Sequence, residues 1–293
     1  MKEFITVITP TYNREKNLQK LYDSLTSQTN SNFIWLVVDD GSTDNTEKVM
    51  KDFKKDNKIK ITYIKKKNGG KHTALNIAFD SINTDLFFVV DSDDYLTNDA
   101  IETIFSYFKK YEDKSLAGFV FLRGYSENKS VSVKFEKDEF IGNYVKDIIN
   151  KQPSGDRVEV FFSKYLFNNR FPEFENEKFI GEGFFWNKIS KKHDMLFVNK
   201  IIYICEYIDG GLTKSGRKMR IKYPLGGMEH AKEYLNKEYS MKLRIKNMIL
   251  YQVYYRIANK NHIKSEKLPF SILKMICFVP SLFIYYYWTL KYN

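Results

Sequence analysis

Four short apolar runs punctuate the first third of the chain: FITVIT from Phe4, FIWLVV from Phe33, IKITYI from Ile59 and LFFVV from Leu86. Each is too short for a stable helix and rich in β-branched or aromatic residues, so each reads as a strand buried on both faces. Between the runs, apolar positions return at helical spacing: Leu18, Leu21, Tyr22 and Leu25, then Thr46, Val49, Met50 and Phe53. The same spacing recurs at Leu75, Ala78, Phe79 and Ile82 and at Ile101, Ile104, Phe105 and Phe108. Four strand-helix units in succession predict an α/β fold with a mostly parallel sheet flanked by helices. In such sheets a ligand binds beyond the carboxyl ends of the strands.

Beyond residue 115 the pattern is coarser. A strand is expected at Ala117 to Arg123 and a strand-like stretch at Ser130 to Phe135, followed by an aromatic-rich region to Arg170. No repeat or low-complexity linker marks a second domain, so a functional division is drawn at 1–115, 116–227 and 228–293. Tyr207 to Gly227 reads as a glycine-bounded basic loop. Met241, Ile245, Met248, Ile249 and Val253 mark the stripe of an amphipathic helix. Leu268 to Leu290 carries only Lys274 as a charge, but Pro269, Pro280 and the Tyr285 to Trp288 cluster interrupt it, and its uncharged stretch falls short of the roughly 20 residues a membrane span needs. An interfacial helix at the inner leaflet, held by aromatics and basic neighbours, is the expectation, with burial against the chain's own core or a homo-oligomer contact as alternatives.

Charge sharpens this picture. The chain of 293 residues carries a formal net charge of +11, which predicts attraction to an anionic partner such as a phosphorylated substrate, a membrane surface or nucleic acid. Between Thr213 and Leu250 ten basic residues face three acidic ones. Two isolated cysteines, Cys205 and Cys277, lack metal-ligand spacing and imply a reducing compartment. Met1 to Glu3 run straight into the first strand without a leader pattern, so a cytoplasmic protein is expected.

The polar chemistry gathers at the predicted strand ends. Thr9, Pro10, Thr11, Tyr12, Asn13 and Arg14 follow the first strand, Asp39-Asp40-Gly41-Ser42 the second, Asn68-Gly69-Gly70-Lys71 the third and Asp91-Ser92-Asp93-Asp94 the fourth. Three carboxylates within four residues cannot all ionise cheaply in a half-dry crevice without a compensating cation. Manganese or magnesium fits, since hard cations take one or two carboxylates and share the oxygens of a substrate phosphate. An isolated Asp-x-Asp more often only shapes a turn. Here its companions on the same rim argue for more.

TPTYNR, VVDDGSTDNT, NGGKHTALN and VVDSDDYL, in this order over residues 4 to about 110, resemble an inverting nucleotide-sugar glycosyltransferase of family 2 with the GT-A fold. The resemblance implies a nucleotide-sugar donor, expected to be UDP-linked, and a glycan or lipid-linked acceptor of bacterial surface-polysaccharide type. It implies that Thr9, Pro10 and Tyr12 with either Asp39 or Asp40 hold the base and ribose. Asp91 then faces the ribose, Asp93 binds the metal, and Lys71 and Ser92 complete the donor site. The family's general base stands in a Glu-Asp pair. FIGEGFFWNKIS offers Glu182 for the Glu and Gly183 in the Asp position, so Glu182 is the base candidate, with Glu177 and Asp194 in reserve. Lys214, Arg217 or Arg220 would meet the diphosphate, and Phe185 or Trp186 would stack on the acceptor sugar or belong to the core. Two other classes are weighed: a metal-binding phospho-receiver switch, which leaves the second half unexplained, and a basic nucleic-acid-binding protein, for which no RNA- or zinc-type motif is present.

Overall fold

Ile5–Thr11 forms β1, and every residue of it is buried. Successive side chains leave a strand on opposite faces, and here both faces are dry: Val7 packs with Leu18, Leu21 and Trp35 on one side, while Ile8 packs with Leu36, Leu75 and Phe87 on the other. This computed structural model describes residues 3–111, 115–151, 155–166, 169–205 and 212–292, with backbone alone at 212–215. After β1 come α1 (Leu18–Thr26), β2 (Phe33–Asp39), α2 (Thr46–Asp56), β3 (Lys60–Lys65), α3 (Lys71–Asp80), β4 (Leu86–Val89), β5 (Tyr95–Leu96) and α4 (Ala100–Tyr111). The four expected strand-helix units are all present. Their helices bury the predicted faces, as when Tyr22 stacks on Phe53 with ring centroids 4.0 Å apart.

The second half continues the same sheet with β6 (Gly118–Ser126), β7 (Lys129–Ser130), β8 (Glu139–Gly142), β9 (Arg157–Phe162), α5 (Gly183–Ser190) and β10 (Met195–Ile204). Strand order along the sheet is β3-β2-β1-β4-β9-β6-β10-β5. β1 to β4 are mutually parallel, β9 is antiparallel to both β4 and β6, and β10 is parallel to β6. β4 and β6 therefore run the same way. The ends of β1, β2, β3, β4, β6 and β10 and the start of β9 share one rim, and the order reverses at β1 and β4, the switch point where ligands bind. The architecture is the expected Rossmann-like GT-A sheet flanked by helices.

Several expectations are corrected. Of the proposed 130–135 strand only Ser130 pairs, as the end of β7; the following chain is held irregularly, with the Phe135 amide donating to Asn199 Oδ1 at 2.8 Å. The basic segment is not a loop over its described length but helix α6 (Leu212–Lys222), followed by α7 (Pro224–Glu233). Residues 206–211 and the Lys214 side chain lie outside the described residues. A boundary at 227/228 would cut α7, so the helical layer begins at Leu212.

The layer continues with α8 (Met241–Lys260), α9 (Ile272–Ile276) and α10 (Phe278–Tyr292). α8 buries the predicted stripe only in part. Met248 and Val253 face inward with Leu243, Asn247, Tyr251, Tyr254 and Ala258, and Ile249 packs at the edge of that core, whereas Met241 and Ile245 are exposed, because packing on α7 and α10 outweighs the apolar periodicity. Pro280 does not interrupt α10; it occupies the first turn, where no helical amide bond is lost. Among the described residues no helix is long and apolar enough to cross a membrane.

Candidate functional site

The β1 and β2 ends are fastened to each other by their own polar groups. Asn13 donates its amide to Ser42 Oγ (2.9 Å), Arg14 to Thr46 Oγ1 (3.0 Å), and Thr43 donates to Asn13 Oδ1 (2.8 Å). Thr9 is buried, and its hydroxyl accepts the Trp35 indole N–H at 2.9 Å. Pro10 is buried too, so of Thr9, Pro10 and Tyr12 only Tyr12 presents its side chain to solvent, at 45% exposure. Thr11 of the same turn ends β1 with a buried hydroxyl that has no hydrogen-bond partner among the described residues.

Asp39 and Asp40 act first on the protein's own chain. Asp39 accepts the Ser42 amide (2.7 Å) and the Tyr63 hydroxyl (2.6 Å). Asp40 accepts four donors: Lys66 Nζ (2.7 Å), the Gly69 amide (2.8 Å), the Gly70 amide (2.7 Å) and Asn68 Nδ2 (3.1 Å). Charge-assisted bonds of this kind are among the strongest a buried group makes. They shape the loop from Lys66 to Gly70 that delivers Lys71. Gly70 sits at φ +96°, and a Cβ there would lie 2.0 Å from the Lys178 carbonyl oxygen, so no other residue fits. The Lys178 ammonium reaches back to Asn68 Oδ1 at 2.7 Å. The loop and the segment leading to Glu182 are thereby stapled together.

At the centre, the Lys71 ammonium pairs with both Asp91 and Glu182. Burial works to lower the Lys71 pKa, but the two carboxylates outweigh it and hold the ammonium above the usual lysine range. Burial likewise works to raise Asp91, yet Lys71, Arg123 and Arg14 hold its carboxyl below the usual range. Asp94 goes the other way. It is buried, and desolvation pushes its carboxyl up to about 7 even though the Tyr203 hydroxyl donates to it at 2.7 Å; the neighbouring Asp91 charge adds to the rise. The crowding of three carboxylates is thus relieved without a metal at two of them. Among the described residues the half-buried Asp93 has no hydrogen-bond or ion-pair partner, and Ser92 beside it is buried.

A metal test follows from this donor set. No three His, Cys, Asp or Glu side chains among the described residues converge to hold an ion by themselves. An unpaired carboxylate at Asp93 still suits manganese or magnesium, which take few protein carboxylates and complete their shells with water and substrate phosphate.

The reserve bases fare differently from Glu182. Glu177 is buried, and its two oxygens accept the amides of Leu225 and Gly226 at 2.8 and 2.7 Å, capping the start of α7. Asp194 is exposed and immediately precedes β10, which places it on the opposite rim of the sheet. Phe185 is buried in the core against Phe79, with centroids 4.7 Å apart, while Trp186 packs on Phe161 and forms part of a cavity wall. Arg220, expected at the diphosphate, lines this cavity, and three residues without an assigned role meet it there: Arg123, which stacks on Tyr203 at 4.3 Å and ends an expected strand on the ligand rim, Glu159 and His230. Arg123 was findable as a polar residue at a parallel strand's carboxyl end. The other two carry no local signal.

The model of Glycosyl transferase family 2 matches residues 6–175, more than half of the chain. Among curated relatives, the chain is 27% identical over 300 residues to a GalNAc(5)-diNAcBac-PP-undecaprenol beta-1,3-glucosyltransferase of Campylobacter jejuni, covering 96% of this chain and 91% of the relative. It is 25% identical to the glycosyltransferase GlyG of Streptococcus pneumoniae over 82% and 81% of the two chains. A match to GlyA of the same organism is 37% identical but spans only 37% of this chain and 15% of GlyA. In three dimensions the chain is similar to Staphylococcus aureus TarS 1-349 in complex with UDP-GlcNAc, with a TM-score of 0.65 at 19% identity over 97% of this chain and 80% of that one. With the family match extending across β1 to β9 and the relatives across nearly the whole length, this chain belongs to glycosyl transferase family 2.

Proposed function

We propose that the protein transfers a sugar from a nucleoside diphosphate sugar, UDP-linked by preference, to a hydroxyl of a glycan or lipid-linked acceptor, with inversion at the anomeric carbon. The carrying observation is the ion-paired set Asp91, Lys71 and Glu182 at the switch point of a family 2 sheet. Lys71 is fixed on the donor side by the Asp40-organised loop and holds Glu182 by one oxygen. The other carboxylate oxygen remains to take the proton of an incoming hydroxyl as it attacks the face opposite the leaving diphosphate. A divalent ion held by Asp93 and the donor phosphates would supply Lewis-acid stabilisation of the charge developing on that diphosphate. The names of relatives support the substrate class: one glucosylates a diphosphate-linked undecaprenol glycan, and TarS is described with UDP-GlcNAc.

A panel of nucleotide sugars, assayed with manganese for released nucleoside diphosphate, tests the reading. Release from one UDP-sugar, with UDP raising the melting temperature, is expected. Absence of release from every donor, together with absence of stabilisation by every nucleoside diphosphate, would overturn the proposal, and stabilisation by magnesium with acyl phosphate alone would favour the receiver alternative.

The same reading seats the enzyme on the cytoplasmic face of the cell membrane. In its support, the outward faces of α9 and α10 and the approach to them expose Phe270 (80%), Ile272, Ile276, Phe283 (73%) and Leu290 (85%), while Cys277, Ser281 and Trp288 face inward. Exposed Lys264, Lys267 and Lys291 belong to the same stretch of chain. Exposed apolar residues with cations in the same stretch match an anionic lipid surface. Phe283→Asp with Leu290→Asp is expected to lower binding to phosphatidylglycerol vesicles at least about tenfold, given the apolar area withdrawn, with little change in melting temperature. Equal co-sedimentation of the double variant would remove this face from the contact.

A further inference from the structure

We infer that the acceptor carries a phosphate group close to its accepting hydroxyl, and that Arg220 and Lys246 bind it. This deepens the reading above and rests on it. A cavity of about 640 Å³ opens between the ligand rim of the sheet and helices α6, α7, α8 and α10. Glu182 and Trp186 lie on one wall, Glu159 of β9 on another, and Arg220, His230 and Lys246 project from three successive helices.

Five cationic side chains and three acidic ones face this space. The acids near the base already have partners. Glu182 is paired with Lys71, and Glu159 accepts the Tyr144 hydroxyl. Asp156 stands exposed at the rim. On the cationic side, Arg157 spends two nitrogens on the carbonyls of Gly155 and Val133, at 2.9 and 3.2 Å, and Arg123 donates to the Arg157 carbonyl at 2.8 Å. Arg220, Arg217 and Lys246 make no ion pair among the described residues; Arg220 and Arg217 only lie over the rings of Phe179 and Trp288. His230 registers the resulting field. Burial, reinforced by Arg220 and Lys246, pushes its imidazole down to about 3, so at neutral pH it is an uncharged hydrogen-bonding group among cations.

The position identifies which phosphate. A Cβ added to Gly181 would lie 3.4 Å from Arg220 Nη2, and one added to Gly183 would lie 3.7 Å from His230 Nε2. These glycines flank Glu182, so Arg220 and His230 adjoin the base from one side while Lys71 and Asp91 adjoin it from the donor side. An anion held by Arg220 therefore belongs to the molecule whose hydroxyl meets Glu182. Beyond Trp288 a second cavity of about 550 Å³ is lined by Lys218, Lys222, Lys260 and Lys291 and by no acid. It extends the cationic surface away from the base, as a long anionic acceptor would require.

The test uses the full chain with glycerol 3-phosphate as probe, titrated calorimetrically with and without saturating UDP and magnesium. Binding in the presence of UDP is expected. Arg220→Gln and Lys246→Gln should each weaken it about tenfold, the usual worth of one charge-assisted hydrogen bond, and leave UDP affinity unchanged. Lys246 is exposed on α8, so its variant reports even if Arg220→Gln fails to fold. Competition between UDP and glycerol 3-phosphate, or loss of UDP affinity in either variant, would assign these cations to the donor diphosphate and overturn the inference. So would absence of glycerol 3-phosphate binding to the wild-type protein. Failure of UDP itself to bind the wild type would instead strike the donor reading, and the acceptor assignment with it.

Discussion

Glu182→Gln is expected to lower sugar transfer by about a hundredfold or more, the ordinary contribution of general base catalysis, while donor affinity barely moves. Glutamine keeps the length and the hydrogen bond from Lys71 but cannot accept a proton at neutral pH. Glu182→Ala should lose as much or more, because among the described residues it also leaves Lys71 with Asp91 as its sole anionic partner. Transfer rate and UDP affinity, measured on both variants, separate chemistry from positioning. A Gln variant that retains more than about a third of the normal rate would reduce Glu182 to a positioning residue. The search would then move to Glu159, whose carboxyl is raised by burial on the wall of the same cavity. Glu177 and Asp194 would not be reconsidered, the first being spent on the α7 amides and the second lying on the far rim.

Asp93→Ala is expected to remove metal-supported turnover by a factor on the order of a thousand, as large as the loss of an electrostatic group aimed at developing charge. Folding should be nearly untouched, because Asp93 is half-buried and bonds to nothing among the described residues; substitutions of that kind usually stay within about 0.5 kcal/mol. The apparent manganese affinity, read from the metal dependence of donor hydrolysis, should weaken in step. Near-normal turnover at low manganese would move the metal assignment to Asp91, and Lys71 would then have to yield its partner when the ion binds.

The first four strand-helix units were legible because β1, β2 and β4 are buried on both faces and the helices on one, the two cases in which periodicity speaks plainly; the expectation of a doubly buried strand fails at β3, the edge strand, whose residues are exposed or half-buried. β8, β9 and β10 were not legible. They pair in part antiparallel, across long stretches of chain, and β9 enters between β4 and β6 from a segment whose aromatic residues mask any alternation. In the site, individual candidates at the strand ends could be named one by one, since turn chemistry collects there. Their division of labour could not. Whether Asp40 faces a ligand or the amides of Gly69 and Gly70 depends on how the chain folds back on itself, and the same holds for Glu177 and α7. Lys71, Asp91 and Glu182 meet only in three dimensions, and Arg220 and His230 join them from helices read as a loop or not assigned at all.

The staple between Gly70 and Lys178 has a consequence for redesign. Because a backbone oxygen fills the place of a side chain at Gly70, and Lys178 in turn grips Asn68, the loop from Lys66 to Lys71 and the segment from Lys178 to Glu182 move as one inherited part. A graft that exchanged the donor loop alone, in order to alter which sugar is accepted, would displace the base along with it. The smallest transplantable unit on this scaffold comprises both segments.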